Sequence, residues 1–230
     1  MVSYTHFQKN TKKAEHNMKN TSINENNENE CAIILASASP RRREILAELG
    51  LSFRVITADT DESCELSDPR EYAMELARRK GHAVYKLLCG KHGKEYADGL
   101  TVLSADTVVV CDGEILGKPT DRADAIRMLR MLRGRAHSVI TGVGVTYGGI
   151  THTDLSETLV YVDEIPDAEL EAYVDTGDPM DKAGSYGIQG IFSRWITGID
   201  GCYFGVVGLP TNKLASLYFR VTGKELLGAH

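Results

Sequence analysis

Hydrophobic and polar positions divide the chain into a polar N-terminal segment and a longer body of short strands and amphipathic helices. Residues 1–30 are rich in Asn, Lys and Glu and have no sustained hydrophobic period, so they predict a disordered extension. The body, residues 31–230, begins with the apolar run Ala32–Ala36, which predicts a short buried strand. Ser39 and Pro40 then favour a helix start directly after a tight turn.

Strands and helices alternate along the rest of the body. Further strands are predicted at Leu51–Thr57, Thr101–Val110, Glu114–Pro119, His137–Tyr147 and Thr151–Val162, and a hairpin at Phe192–Ile199 and Cys202–Val207. Helices are predicted at Asp68–Leu88, Asp121–Arg133 and Pro166–Val174, and from Pro210 onward. We therefore expect an α/β fold in which helices flank an elongated mixed sheet, with two lobes around a central cleft.

Composition narrows the class of protein. A chain of 230 residues with 42% hydrophobic residues can bury a substantial core. Its formal net charge of -6 argues against nucleic-acid binding by bulk electrostatics. The five cysteines include no CxxC pair and indicate neither a zinc site nor a disulfide framework. No apolar run approaches the ~20 residues that span a membrane, so we expect a cytoplasmic protein that binds a small anion rather than nucleic acid or a membrane.

Three consecutive arginines, Arg41–Arg43, occupy the first turn of the first predicted helix. The positive end of the helix dipole disfavours cations there by about 0.3–1 kcal/mol each, so a bound anion is expected to compensate them. The helix N–H groups, the Ser37 and Ser39 hydroxyls and the guanidinium groups together suit the oxygens of a polyphosphate. The alternative for this segment alone is a solvated basic patch.

Asp106 interrupts an apolar strand, and a buried carboxylate is costly unless it is paired or binds a metal. Lys118 follows the Asp112-Gly113 turn and is expected on the segment paired with that strand. The acidic loop around Glu62 is explained either by surface acidity or by metal binding. His137, at a strand start, predicts a structural hydrogen bond rather than catalysis. Gln189 follows a glycine-rich segment and offers a donor and an acceptor to a base edge.

These motifs together resemble the Maf family of nucleotide pyrophosphatases. The matching segments are Ser37-Ala38-Ser39-Pro40-Arg41-Arg42, Glu62, Lys80, Ser104-Ala105-Asp106-Thr107, Gly117-Lys118-Pro119, His137, Asp181-Lys182-Ala183-Gly184 with Gln189-Gly190, and Val207-Gly208-Leu209-Pro210. The resemblance spans nearly all of the body and implies a fold like that of the inosine triphosphatases. The ending Gly187-Ile188-Gln189-Gly190 resembles the branch that acts on dTTP and UTP rather than on 7-methyl-GTP.

The resemblance implies hydrolysis of a nucleoside triphosphate between its α and β phosphates. Asp106 corresponds to the catalytic carboxylate, described in the family as a proton acceptor. Substrate preference is tied to the positions of Arg41, Thr107 and Gln189. Further substrate contacts are expected from Ser37, Ser39, Arg42, Lys80 and Lys118. Glu62 and Asp106 would suit Mg²⁺ or Mn²⁺, and whether Asp106 accepts a proton or binds the metal stays open at this point.

Two other functions remain open from the sequence. One is a pyrophosphatase that removes modified purine nucleotides or 7-methyl-GTP. The other is a nucleotide-sensing regulator without useful catalysis, since the family is linked to arrest of septum formation. A role in limiting the incorporation of modified nucleotides and a homodimeric assembly are implied by the resemblance alone.

Overall fold

A mixed sheet of seven strands forms the centre of the computed structural model, which describes residues 31–228. The predicted N-terminal extension, residues 1–30, lies outside them. The strands are β1 (Ile33–Leu35), β2 (Arg54–Val55), β3 (Thr101–Cys111), β4 (Glu114–Leu116), β5 (Ala136–Tyr147), β6 (Ile150–Val162) and β7 (Ile196–Asp200). Their order is β2-β1-β3-β5-β6-β7, with β4 also paired to β3. Strand β1 is parallel to β2 and β3, whereas the other pairs are antiparallel.

Helices flank this sheet. The α-helices among the described residues are α1 (Pro40–Glu48), α2 (Pro69–His92), α3 (Lys94–Asp98), α4 (Arg122–Leu132), α5 (Asp167–Asp175), α6 (Tyr203–Val207) and α7 (Thr211–Thr222). Short 3-10 helices occupy Asp178–Asp181, Ala183–Ser185, Ile191–Trp195 and Leu226–Gly228. Within residues 31–228, no helix has both the length and the apolar character needed to cross a membrane. The predicted α/β fold with a mixed sheet and flanking helices is confirmed.

The period-two alternation of β3 directs successive side chains to different helical layers. Leu103 and Ala105 pack in an apolar cluster with α1 and α7. Val102 packs in a separate cluster with α2, and the Ser104 hydroxyl donates to the carbonyl oxygen of Ala77 on α2 at 2.7 Å. By the same alternation Asp106 lies on the α2 side of the sheet, and Thr107 lies on the α1 side.

A further apolar cluster lies at the other end of β3, around α4 and α5, and forms a second lobe. Val109 and Val139 contribute to it from the sheet, and Leu129 and Leu170 contribute from the two helices. The cleft described below is lined by residues of this cluster and of the cluster around α1 and α7. The two predicted lobes thus correspond to two apolar cores on one continuous sheet.

Helix α2 packs directly onto the backbone of β5. A Cβ added to Gly142 would lie 2.4 Å from the carbonyl oxygen of Ala73 and 2.8 Å from the amide nitrogen of Met74. A Cβ on Gly81 of α2 would lie 2.7 Å from the Thr146 hydroxyl of β5. Glycine at these positions allows the close approach of helix and sheet, which brings the side chains of α2 near β3.

The predicted hairpin between residues 192 and 207 is wrong. Phe192 lies in the 3-10 helix Ile191–Trp195 because its ring packs against those of Tyr173 and Trp195. β7 pairs with β6 instead of with a hairpin partner. The segment predicted as the second strand is α6, which brings the Gly205 carbonyl oxygen to the Thr141 hydroxyl at 2.8 Å. Tertiary packing here outweighs the strand preference of the apolar residues.

Other predicted elements differ in length. The strand predicted at Leu51–Thr57 is limited to Arg54–Val55, and helix α2 continues to His92, beyond the predicted end. The prediction contained no helix at Lys94–Asp98. The two long strands β5 and β6 agree with prediction to within a residue at each end.

Candidate active site

A cleft of about 900 Å³ lies between the two lobes. It is lined by the β1–α1 turn, the loop after β2, one face of α2, the middle of β3, the segment after β4, and two later segments around residues 181–189 and 206–208. Its volume lies within the range typical of small-molecule sites, about 300–1,000 Å³. Every residue that the sequence assigned to substrate, metal or catalysis lines this cleft.

The β1–α1 turn presents backbone and hydroxyl groups to the cleft. Ser39 occupies the position before the helix and Pro40 its first turn, as predicted, but the Ser39 side chain makes no capping hydrogen bond. Instead the Ser37 hydroxyl oxygen accepts the N–H of Ser39 at 3.2 Å. The Ser39 hydroxyl therefore remains available to a ligand at the positive end of the helix.

Arg42 joins three segments of the structure. Its guanidinium donates to the carbonyl oxygens of Gly208 (2.7 Å) and Ala105 (2.8 Å) and to the hydroxyls of Ser37 (3.2 Å) and Thr107 (3.1 Å). Burial lowers the pKa of Arg42, although the nearby Asp106 carboxylate acts in the opposite direction. Because a guanidinium has five N–H donors, these four hydrogen bonds leave a single donor for a phosphate oxygen.

Arg41, by contrast, makes no hydrogen bond or ion pair with another residue of the described range, although it lines the same cleft. Arg43, the next residue along the helix, is exposed and lies outside the lining. The three arginines predicted as one group thus occupy three environments. Arg41 faces the cleft without a hydrogen bond or ion pair to another described residue. The Arg42 guanidinium is hydrogen-bonded within the protein, and Arg43 is exposed to solvent.

Lys80 on α2 is shared by two carboxylates. Its ammonium lies 2.6 Å from Asp106 on β3 and 2.7 Å from Glu62 in the loop after β2. Burial lowers the pKa of Lys80, but the two carboxylates outweigh this effect and raise it overall. The hydrogen bond from Lys80 lowers the pKa of Glu62. Both carboxylates are thus held close together around one positive charge, and Asp106 is 8% exposed at the floor of the cleft.

Thr107 lies at the start of a hydrogen-bonded row on the opposite face of β3. Its hydroxyl is 2.8 Å from that of Thr141 on β5, which in turn donates to the carbonyl oxygen of Gly205 on α6.

The residues Thr141 and Gly142 were not singled out from the sequence. The signal was present in the segment Thr141-Gly142-Val143-Gly144, since glycines at alternate positions of a strand indicate close approach of another backbone on one face.

The remaining predicted residues lie at the rim of the cleft. Lys118, just beyond β4, and Gln189 are both exposed lining residues. The Lys182 ammonium, which also belongs to the lining, is bound by Asp178 and Asp181. His137 is buried behind the lining residue Tyr186, and its Nε2 is 2.7 Å from the tyrosine hydroxyl. The predicted structural hydrogen bond of His137 is therefore confirmed.

The Glu62–Asp106 pair also fits a small divalent cation. Both carboxylates already contact one cationic group, the Lys80 ammonium. Among residues 31–228, no three His, Cys, Asp or Glu side chains converge as a metal-binding group. Two carboxylates without a full protein cage suit Mg²⁺, which is usually held by one or two carboxylates together with water and substrate phosphates.

An Arg-rich helix start that faces a carboxylate–ammonium cluster across one cleft defines a class of protein, the enzymes that act on phosphate-bearing substrates. The family model described as Maf-like protein matches residues 32–220. The chain therefore belongs to the Maf family.

Its relatives agree in name. A protein of Koribacter versatilis is 49% identical over 179 residues (77% of this chain and 88% of the relative). One from Thermococcus kodakarensis is 45% identical over 195 residues (84% and 100%), and one from Vibrio cholerae is 44% identical over 179 residues (77% and 91%). All three are named dTTP/UTP pyrophosphatase. The Staphylococcus aureus Ham1 protein aligns with a TM-score of 0.43 at 16% identity, over 71% of this chain and 79% of that one.

Proposed function

We propose that this chain hydrolyses dTTP and UTP to the nucleoside monophosphate and pyrophosphate. The observation that carries the proposal is the single cleft in which the β1–α1 turn faces the Asp106–Lys80–Glu62 cluster. Relatives at 43–49% identity that share the name dTTP/UTP pyrophosphatase support the choice of nucleotides. The reaction is attack of water on a phosphorus atom with cleavage of the α–β anhydride bond.

The triphosphate is bound by cleft groups that form no hydrogen bond or ion pair with other described residues. These are Arg41, Lys118, the Ser39 hydroxyl and the N–H groups at the start of α1. Charge-assisted hydrogen bonds from such groups offset the negative charge that develops on phosphoryl oxygens during attack by water. Arg42 contributes chiefly by fixing the turn that presents them, because its donors are engaged within the protein.

Asp106 is the group best placed to act on the attacking water. It lies on the cleft floor and its Oδ1 is bound by Lys80, which leaves the second carboxylate oxygen to accept a proton. Glu62 and Asp106 would hold Mg²⁺ or Mn²⁺, which would supply additional positive charge to the phosphate oxygens. Lys80 provides positive charge at the same place and orients both carboxylates.

Base selection is assigned to the rim residue Gln189, with Thr107 and Arg41. The Gln189 amide is exposed at the cleft and forms no side-chain hydrogen bond to another described residue, so both its donor and its acceptor are available to a pyrimidine edge. Thr107 is already bonded to Arg42 and Thr141. Thr107 therefore influences substrate preference through the position of the β1–α1 turn, to which Arg42 belongs, rather than through a free hydroxyl.

The decisive experiment combines one substitution with a substrate panel. We expect Asp106→Asn to abolish pyrophosphate release and to keep the fold, because the volume is unchanged and Lys80 retains Glu62. Asp200→Asn, on the exposed edge strand β7, is the matched control and should retain full activity. Thermal unfolding of both variants confirms the fold. Full turnover by Asp106→Asn would refute the catalytic assignment.

The panel contains dTTP, UTP, GTP, 7-methyl-GTP, ITP and XTP, each with and without Mg²⁺ or Mn²⁺. Preference for ITP, XTP or 7-methyl-GTP would replace the pyrimidine proposal with a role in removing modified purines. Tight nucleotide binding without release of pyrophosphate would identify a nucleotide sensor. A cytoplasmic location and a homodimeric state remain predictions, which fractionation and light scattering would check.

A further inference from the structure

We propose that Arg79, which lies outside the family motifs, is a positioning residue for Glu62. It fixes the loop of residues 57–67 against α2 so that the Glu62 carboxylate meets Lys80 and Asp106. The inference rests on the proposed function only for the consequence of this positioning, because the contacts themselves are independent of the reaction.

The Arg79 guanidinium contacts the backbone on both sides of Glu62. Its Nη1 donates to the carbonyl oxygens of Asp61 at 3.1 Å and Ser63 at 2.7 Å. Its Nε donates to Glu75 at 2.8 Å, one helical turn earlier, and this bond orients the guanidinium plane. The Asp61 carboxylate accepts the Ser63 N–H at 2.8 Å, which folds the loop into a turn at this point. Glu62 therefore lies at the centre of a turn whose two ends are bonded to one side chain.

The loop has few other attachments. Residues 57–67 contain no helix or strand, and within the described part of the chain their hydrogen bonds and ion pairs to other segments come from Arg79 and Lys80. Adjacent residues of an α-helix point about 100° apart. Lys80 therefore holds the Glu62 side chain while Arg79 holds the neighbouring backbone. Glu62 has 61% of its side chain exposed, and an exposed ion pair alone orders a long side chain only weakly.

Arg78 provides a matched comparison within the same helix. Its Nε and Nη2 donate to the Glu75 carboxylate at 2.7 Å and 2.8 Å, so it shares the acidic partner of Arg79. It makes no hydrogen bond or ion pair with residues 57–67. Replacing either arginine removes the same charge from the same turn of α2, but only the loss of Arg79 removes the contacts to the loop.

The test compares Arg79→Met with Arg78→Met in the full-length chain, each alone and combined with Glu62→Gln. Hydrogen–deuterium exchange is measured on peptides that cover residues 57–67, and kcat/KM is measured for dTTP. In Arg79→Met we expect faster exchange in this loop and a loss of about 10-fold in kcat/KM, the lower end of the loss that follows replacement of a residue that orients a metal ligand. Arg78→Met should show neither change.

The combined variants separate positioning from a general structural effect. If Arg79 acts through Glu62, Arg79→Met should cause little further loss when Glu62 is already Gln. Equal exchange of the loop in the two arginine variants, or a full 10-fold loss in the Glu62→Gln background, would overturn the proposal. If the wild-type chain released no pyrophosphate from any nucleotide, the proposed function would fail, whereas the exchange comparison would still decide whether Arg79 holds the loop.

Discussion

Replacing Gly142 with alanine would test whether the close packing of α2 on β5 sets the geometry of the site. The new Cβ would lie 2.4 Å from the Ala73 carbonyl oxygen, so helix and strand must separate by about 1 Å to reach the 3.4 Å of ordinary contact. The obstructing atoms belong to the backbone and cannot rotate away. Overpacking of this kind costs about 1–3 kcal/mol, and we expect a loss near 3 kcal/mol in the free energy of unfolding.

The same change should reduce activity. Gly142 lies directly opposite Asp106 in the β3–β5 register, and the obstructed helix carries Lys80. A separation of about 1 Å would lengthen the contact between the Lys80 ammonium and Asp106, which is 2.6 Å in the structure. Misplacement by about 1 Å of a group that orients a reaction can lower the rate about 10²-fold. We therefore expect loss of kcat together with loss of stability.

Urea unfolding and dTTP hydrolysis measure the two effects. Gly90→Ala is the matched control, because Gly90 lies in the same helix and an added Cβ would meet nothing within 4 Å. That variant should gain about 0.5–1 kcal/mol from helix propensity and keep its activity. If Gly142→Ala were as stable and as active as the wild type, the spacing of α2 would not determine the site.

Two further predictions concern individual side chains. Arg41→Met should raise KM for dTTP by about 10-fold or more, since a charge-assisted hydrogen bond contributes about 1.5–3 kcal/mol. Arg43→Met is the control and should leave KM unchanged. Equal KM values for the two variants in steady-state assays would contradict the assignment of Arg41 to triphosphate binding. Burial lowers the pKa of His137 to about 4 from 6.5, so the unfolded chain binds the proton more tightly. Stability should therefore fall by about 1.4 kcal/mol per unit as pH drops from 6.5 to 4. Urea unfolding at several pH values between 6.5 and 4 should show a weaker dependence of stability on pH for His137→Asn than for the wild type. An equal pH dependence would rule out His137 as its source.

Much of the fold was predictable because its signals are local. The long strands β5 and β6 flank a Gly148-Gly149 turn, and α4 has a clear amphipathic period, so both were placed closely. The hairpin predicted between residues 192 and 207 does not form, although residues 196–199 of its first strand belong to β7. It was predicted because the apolar residues of this segment fit a strand locally. Their actual state depends on packing against Tyr173 of α5 and on the Thr141 hydroxyl of β5, which are distant in the chain.

The candidate site shows the same division. The sequence marked Asp106 because a charge in an apolar strand needs a partner, and Lys80 is that partner in the structure. It could not separate the three consecutive arginines, since their difference arises from Gly208 and Ala105, which reach Arg42 through the tertiary fold. Arg79 gave no signal for a similar reason. Its acceptors are backbone carbonyls, which every residue carries and which no sequence pattern distinguishes.

The four internal hydrogen bonds of Arg42 also bear on the thermodynamics of ligand capture. They connect α1, β3 and the Gly208 segment when the chain folds, so the conformational entropy of this part of the pocket is lost before a nucleotide arrives. Preorganisation of this kind leaves more of the contact energy to appear as affinity. The β1–α1 turn should accordingly superimpose in nucleotide-free and nucleotide-bound crystals.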